Sequence, residues 1–203
     1  MREYASWHRA IAVLLAKTAK EMRAMLKRIL AIVLVVMSLS LQGCVTPTSG
    51  LKPYFDSLDG YKFLYPNGWL PVSVTDGPDV VFHDIIEQTE NVSVVINPVS
   101  GNKTLADLGS PGEVGYQLGK SAIAPPDSGR KAELVNAEAR TVGDKLYYLL
   151  EYAVKVGDRE RHNLASVAVS RGKLYTFNAS TPEDRWAKVQ PLLEKSVKSF
   201  SVD

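Results

Sequence analysis

Residues Lys145 to Val156 alternate with a period of two without a break, and a chain carrying such a segment has to build a sheet around it. Leu146, Tyr148, Leu150, Tyr152, Val154 and Val156 fall on one side, and Lys145, Tyr147, Leu149, Glu151, Ala153 and Lys155 on the other. Successive strand side chains point to opposite faces, so one face here is wholly apolar. The segment is therefore expected to be a central strand.

The neighbouring sequence supplies partners. Gly60 to Trp69 (GYKFLYPNGW) reads as a short strand with Tyr61, Phe63 and Tyr65 on one face, stopped by Pro66-Asn67-Gly68. Leu70 to Val74, Val80 to Asp84 and Val92 to Asn97 are β-branched-rich segments separated by turn residues. Connections this short imply antiparallel pairing. Ala132 to Val142, Arg161 to Arg171 and Lys173 to Ser180 add strands on either side of the alternating segment.

Two helices interrupt the strands. Pro111-Gly112-Glu113 opens one in which Val114, Leu118 and Ile123 form the buried stripe; Gly115 and Gly119 weaken it and Pro125-Pro126 stops it. The second is better signalled. Thr181 offers a capping hydroxyl, Pro182 suits the first helical position, Glu183 and Asp184 complement the positive helix end, and Trp186, Val189, Leu193 and Val197 recur at helical spacing. Pro191 removes one donor inside it, which predicts a kink or a break. Strands, helix, strands, helix is an α+β order: an antiparallel β-sheet flanked by helices.

Ahead of this body lies a leader. Lys27 and Arg28 precede thirteen uncharged residues, Ile29 to Leu41, which is signal-peptide length and not bilayer-spanning length. Leu41-Gln42-Gly43-Cys44 resembles a bacterial lipobox, and Cys44 is the only cysteine in the chain. The chemistry assigned to that thiol is a diacylglycerol anchor, holding the protein on a membrane surface without spanning it. Residues 1–24 put Trp7, Ile11 and Leu14 into an amphipathic pattern ahead of a complete leader, as expected if Met25 or Met22 is the true initiator. The expected organisation is an extension at 1–24, a signal peptide at 25–43, a lipidated cysteine and flexible tether at 44–57, and one domain at 58–203.

Charge and motifs then exclude function classes. Seven of the 24 basic residues but only two of the 22 acidic ones lie in residues 1–43, leaving 17 against 20 in the body. A mildly acidic body argues against nucleic acid as a partner. There is no G-x-S-x-G elbow for a nucleophilic hydrolase, and the only thiol is assigned to the lipid. Gly115 to Ser121 (GYQLGKS) misses the phosphate-loop spacing by one residue. The protein is read as non-enzymatic.

One site has geometry behind it. If Arg171-Gly172 is a two-residue hairpin turn, Ser170 faces Lys173, and counting outward sets His162 opposite Thr181, with Glu183 just beyond. A His and a carboxylate there could share a divalent ion; a plain His–Glu183 hydrogen bond is the simpler alternative. His83 beside Asp84 is a weaker candidate, because consecutive strand residues face opposite ways. Lys52, Arg159 and Arg161 are candidate docking charges.

Gly60 to Trp69, Asn91 to Val94, Leu108 to Pro111 (LGSP), Tyr147 to Tyr152 (YYLLEY), Gly172 to Tyr175 (GKLY), Arg185-Trp186 and Ser199 to Val202 (SFSV) occur in an order and spacing that resemble the PsbP family from about residue 55 to the end. The lipobox points to its cyanobacterial lipoprotein branch. The resemblance implies an α-β-α sandwich and a monomeric extrinsic protein on the lumenal side of the thylakoid membrane. Its partners would be photosystem II core proteins, and its role assembly or stability of the photosystem and its oxygen-evolving centre. It implies no required cofactor, with calcium, manganese or zinc bound weakly. In plant members a His and an acid ahead of the Arg-Trp pair are implicated in divalent ions; these align with His162 and Glu183, although here the acid is Glu. The competing reading is an envelope lipoprotein that binds a small ligand or metal.

Overall fold

The computed structural model describes residues 50–203 apart from Asp76, together with Met22 and Met25. The chain divides into two units, Met1–Thr48 and Ser49–Asp203. Apart from Met22 and Met25, the N-terminal extension, the leader and Cys44 lie outside the described residues. Among the described residues no helix is long and apolar enough to cross a membrane.

The second unit is built on a seven-stranded antiparallel sheet. Its strands are β3 (Leu70–Val72), β4 (Val80–His83), β5 (Asn91–Pro98), β6 (Arg130–Val142), β7 (Lys145–Val156), β8 (Arg159–Ser170) and β9 (Lys173–Pro182). Their spatial order is β3-β4-β5-β9-β8-β7-β6. The alternating segment is β7, with the bounds its pattern predicts, paired on both sides by β6 and β8. The turn at Arg171-Gly172 sets the register read from the sequence: Ser170 pairs with Lys173 and His162 with Thr181. Arg171 and Gly172 both have positive φ (48° and 70°), as a two-residue hairpin turn demands.

A second, three-stranded sheet shares no strand pairing with the first. Strands β1 (Leu51–Asp56) and β10 (Ser201–Val202) flank β2 (Tyr61–Pro66), all antiparallel. Leu51–Asp56, assigned above to the tether, is thus a strand: a lone segment containing Pro53 carries little strand signal, but β2 offers it a full six-residue register. Pro53 is exposed, where a missing ladder donor is tolerated.

Helix α1 (Pro111–Leu118) opens with a capping box between Ser110 and Glu113 and passes into a π-helical turn, Gly119–Ile123. Helix α2 (Glu183–Ser199) is continuous across Pro191, so of the expected kink or break the break does not occur. Pro191 is exposed, so the carbonyl it leaves unpaired can turn to water while Leu193 and Val197 stay locked in the core. The start of α2 also differs from expectation. Pro182 is the N-cap and gives no side-chain cap. The Thr181 hydroxyl, fully buried, donates instead to Glu90 Oε1 at 2.8 Å.

The two faces of the large sheet carry two cores. On one, Phe82, Val92, Val94 and Phe177 meet Leu193 and Val197 of α2 and Tyr61 and Phe63 of β2. Phe177 packs between a tilted Phe63 (4.6 Å) and a stacked Phe200 (5.4 Å). On the other, Val114 and Leu118 of α1 pack on Tyr148, Leu150, Tyr152 and Val167. Full burial of each such side chain is worth about 1.5–3 kcal/mol. The result is an α+β sandwich, with α1 on one side and α2 with the small sheet on the other.

Candidate functional site

The most heavily worked polar region lies where the β8–β9 hairpin opens into α2. His162 is 8% exposed. Its Nδ1 meets Glu183 Oε2 at 3.1 Å, as the register predicts, and its Nε2 meets Glu151 Oε1 at 2.8 Å. Glu151 belongs here because Ala153 pairs with His162, and residues two apart on a strand share a face. Sequence reasoning missed Glu151, having placed it only on the less apolar face of β7. The ring also stacks flat on Trp186, 3.7 Å between centroids at 7°. Trp186 is three residues beyond Glu183 and so lies on the same side of α2.

This arrangement limits the chemistry. The two carboxylates hold opposite ring nitrogens, so one ion can share Nδ1 with Glu183 or Nε2 with Glu151, never all three groups. Either way the protein offers two ligands, and water or a partner has to complete the shell.

Beside it, Glu90 is 2% exposed and accepts from Thr181 Oγ1 and from the Nε and Nη2 of Arg185. That carboxylate ties the end of the β4–β5 loop to the first turn of α2 and leaves Trp186 directed at His162. The same loop is closed by Asp84, whose carboxylate accepts from the backbone of Ile86 and Glu87, each at 2.7 Å. Burial alone would raise the Asp84 pKa, but those hydrogen bonds hold it below the usual carboxylate range. His83 is half-buried on β4, opposite Leu70 and Asn91. Among the described residues it joins no group of three ligand side chains.

The structure brings together one group the sequence did not suggest. Ligand oxygens of Asp56, Asp59 and Asp79 lie within 4.8 Å of one another, close enough to share a divalent ion. Lys173 Nζ already donates to Asp59 Oδ1 at 2.7 Å, and the Tyr61 hydroxyl donates to Asp79. Burial and the Asp79 contact both raise the Tyr61 pKa. Asp56 and Asp59 lie at the β1–β2 turn and Asp79 ahead of β4, so no sequence spacing connects them. Of the candidate docking charges, Lys52 and Arg159 are exposed, whereas the Arg161 guanidinium is tied to Ser180 Oγ (2.8 Å) and the Thr89 carbonyl (2.6 Å).

Known proteins resemble this chain over nearly all of the second unit and beyond it. The family described as PsbP matches residues 49–202. CyanoP of Thermosynechococcus vestitus is 54% identical over 183 residues, covering 88% of this chain and all of that protein. PsbP-like protein 1, chloroplastic, of Arabidopsis thaliana is 37% identical over 153 residues, 75% of this chain and 65% of the relative. The solution structure of cyanobacterial PsbP (CyanoP) from Synechocystis superposes with a TM-score of 0.66 at 48% identity, covering 81% of this chain and 99% of that one.

Proposed function

The chain belongs to the PsbP family, on its cyanobacterial CyanoP branch, and from that premise we propose that it is a non-enzymatic extrinsic protein of photosystem II. It is held to the lumenal side of the thylakoid membrane by a lipidated Cys44 and supports assembly or stability of the core and its oxygen-evolving centre. The observation that carries this reading is the likeness to CyanoP over the whole length of that relative. The anchor raises the local concentration of the folded unit at the membrane, so its contacts with core proteins can each be weak.

Ion binding is part of the proposal at a modest level. His162 with Glu183 offers a site for zinc or manganese, and the Asp56, Asp59 and Asp79 carboxylates suit calcium better because all their donors are oxygen. Neither site is asked to hold an ion permanently.

The test is recovery of the lipidated protein from gently solubilised thylakoid membranes, with co-purifying proteins identified by mass spectrometry. Photosystem II core subunits should come with it, enriched in complexes that lack the mature extrinsic subunits if the role is in assembly. Recovery from other membranes with no core subunit attached would overturn the reading in favour of an envelope ligand-binder.

A further inference from the structure

Helix α1 covers only part of its side of the large sheet. It packs over β6, β7 and part of β8, leaving the same face of β5, β9 and the start of β8 without a helix. A buried half-face would be apolar, but this one is lined with short polar side chains. The registers place them in rows across strands: Asn91, Ser180 and Asn163 in one, Ser93 and Asn178 in the next, and Thr176 beside Val95 in the third.

These residues floor a cleft of about 490 Å³, within the range of small-molecule sites. Its walls have two characters. Val81, Val95, Ile123, Val154 and Val156 supply apolar surface, and Arg130, Arg159 and Arg161 stand at one end. Among the described residues none of these three arginines is in a salt bridge. Burial and the neighbouring Arg130 charge both lower the Arg161 pKa, although Glu87 and Glu90 oppose this. Two like charges held together at the end of a cleft favour an anion between them.

The floor makes the same point independently. Thr176 is 2% exposed and lines the cleft, and its Oγ1 is the one buried side-chain polar atom without a hydrogen-bond partner among the described residues. Leaving a buried hydroxyl unsatisfied is costly, and valine would fill that position without the cost. A hydroxyl kept at the bottom of a cleft with cations at its end is placed to meet a ligand.

We infer that this cleft binds a small organic oxyanion, its carboxylate or phosphate held by Arg130, Arg159 and Arg161 and its carbon skeleton laid against the valine wall, with Thr176 and Asn178 hydrogen-bonding its polar substituents. The cleft is a separate site from the His162 cluster, and occupancy does not depend on where the protein docks.

The experiment is calorimetric titration of the full chain in detergent micelles with phenyl phosphate, citrate, inorganic phosphate, phenol and a hexaglutamate peptide. Phenyl phosphate or citrate should bind saturably, and phenol should not. Arg130→Gln should weaken that binding about tenfold, and Thr176→Val should weaken by a similar factor the binding of citrate, which has polar groups beyond the one held by the arginines; without ligand, the melting temperature should stay within the error of the measurement for Arg130→Gln and rise for Thr176→Val, which removes the unsatisfied hydroxyl. Arg130 is exposed and the threonine-to-valine change keeps volume, so both variants should fold. Absence of saturation at millimolar ligand, binding unchanged in both variants, inorganic phosphate matching the organic anions, or tighter binding of hexaglutamate would each overturn the inference. The last result would make the cleft a face for acidic peptides.

Discussion

Replacing Glu90 with alanine should loosen the join between the β4–β5 loop and α2 by an amount the structure sets. The carboxylate is 2% exposed and accepts from Thr181 at 2.8 Å and from two nitrogens of Arg185. Thr181 is fully buried, so its hydroxyl loses a good acceptor at a cost of about 1–2 kcal/mol. The Arg185 side chain is 34% exposed and can turn to water, which limits its loss to about 1 kcal/mol or less. Lost burial of the Glu90 methylene adds about 0.8 kcal/mol. The total is about 3 kcal/mol, and for a domain of this size each kcal/mol lowers the melting temperature by about 2–4 °C, so a fall of about 6–12 °C is expected in thermal denaturation followed by circular dichroism. In a double-mutant cycle, Arg185→Leu should couple to Glu90→Ala by about 0.5–1 kcal/mol. A fall of less than about 2 °C for Glu90→Ala would refute the reasoning, because a carboxylate this buried cannot be removed cheaply if it anchors its neighbours.

Three further outcomes are expected. A Cβ on Gly115 would stand 2.9 Å from both Leu134 methyl carbons and 3.1 Å from Leu150 Cδ2, so Gly115→Ala should gain about 1 kcal/mol of helix propensity and lose about 1–3 kcal/mol to overpacking, and urea unfolding should show no stabilisation, with a loss of up to about 2 kcal/mol. Asp84 has a folded pKa below its unfolded value, so the stability it contributes is present above about pH 4 and is lost as pH falls through the folded value; Asp84→Asn should flatten that acid limb, and an unchanged limb would discount the loop hydrogen bonds. Cys44→Ser should abolish incorporation of radiolabelled palmitate into the protein; incorporation unchanged in the variant would argue against a lipid anchor at that position.

What the sequence disclosed was whatever depends on neighbours along the chain. The bounds of β7 follow from its alternation, and the His162–Glu183 contact follows from counting out from Arg171-Gly172, because a hairpin turn propagates its register down both strands. Three features were hidden because their causes are distant in sequence. β1 is a strand only in the company of β2. Glu90 and Glu151 meet the His162 region through strand pairing and loop closure that no spacing encodes. Gly115 and Gly119 read as weaknesses of α1, whereas Gly115 lets the helix approach Leu134 and Leu150, and its carbonyl accepts from Tyr152 at 2.8 Å. The break allowed for at Pro191 and the cap expected of Thr181 fail for the same reason: the core at Leu193 and Val197 and the buried acceptor Glu90 outweigh the preferences of a single turn.

The small sheet couples the first and last strands, since β2 is held by β1 on one edge and by Ser201–Val202 on the other, with the Asp203 amide donating to Gly60. Contacts of such long sequence separation have to wait for the intervening chain, so closure of this sheet is a late event in folding. A chain threaded through a membrane from its N-terminus would then keep the β1–β2 hairpin without its final partner until residue 202 had emerged. If the proposed lumenal location is reached by export of the unfolded chain, that delay is useful: the topology itself keeps the polypeptide from closing before its passage is complete.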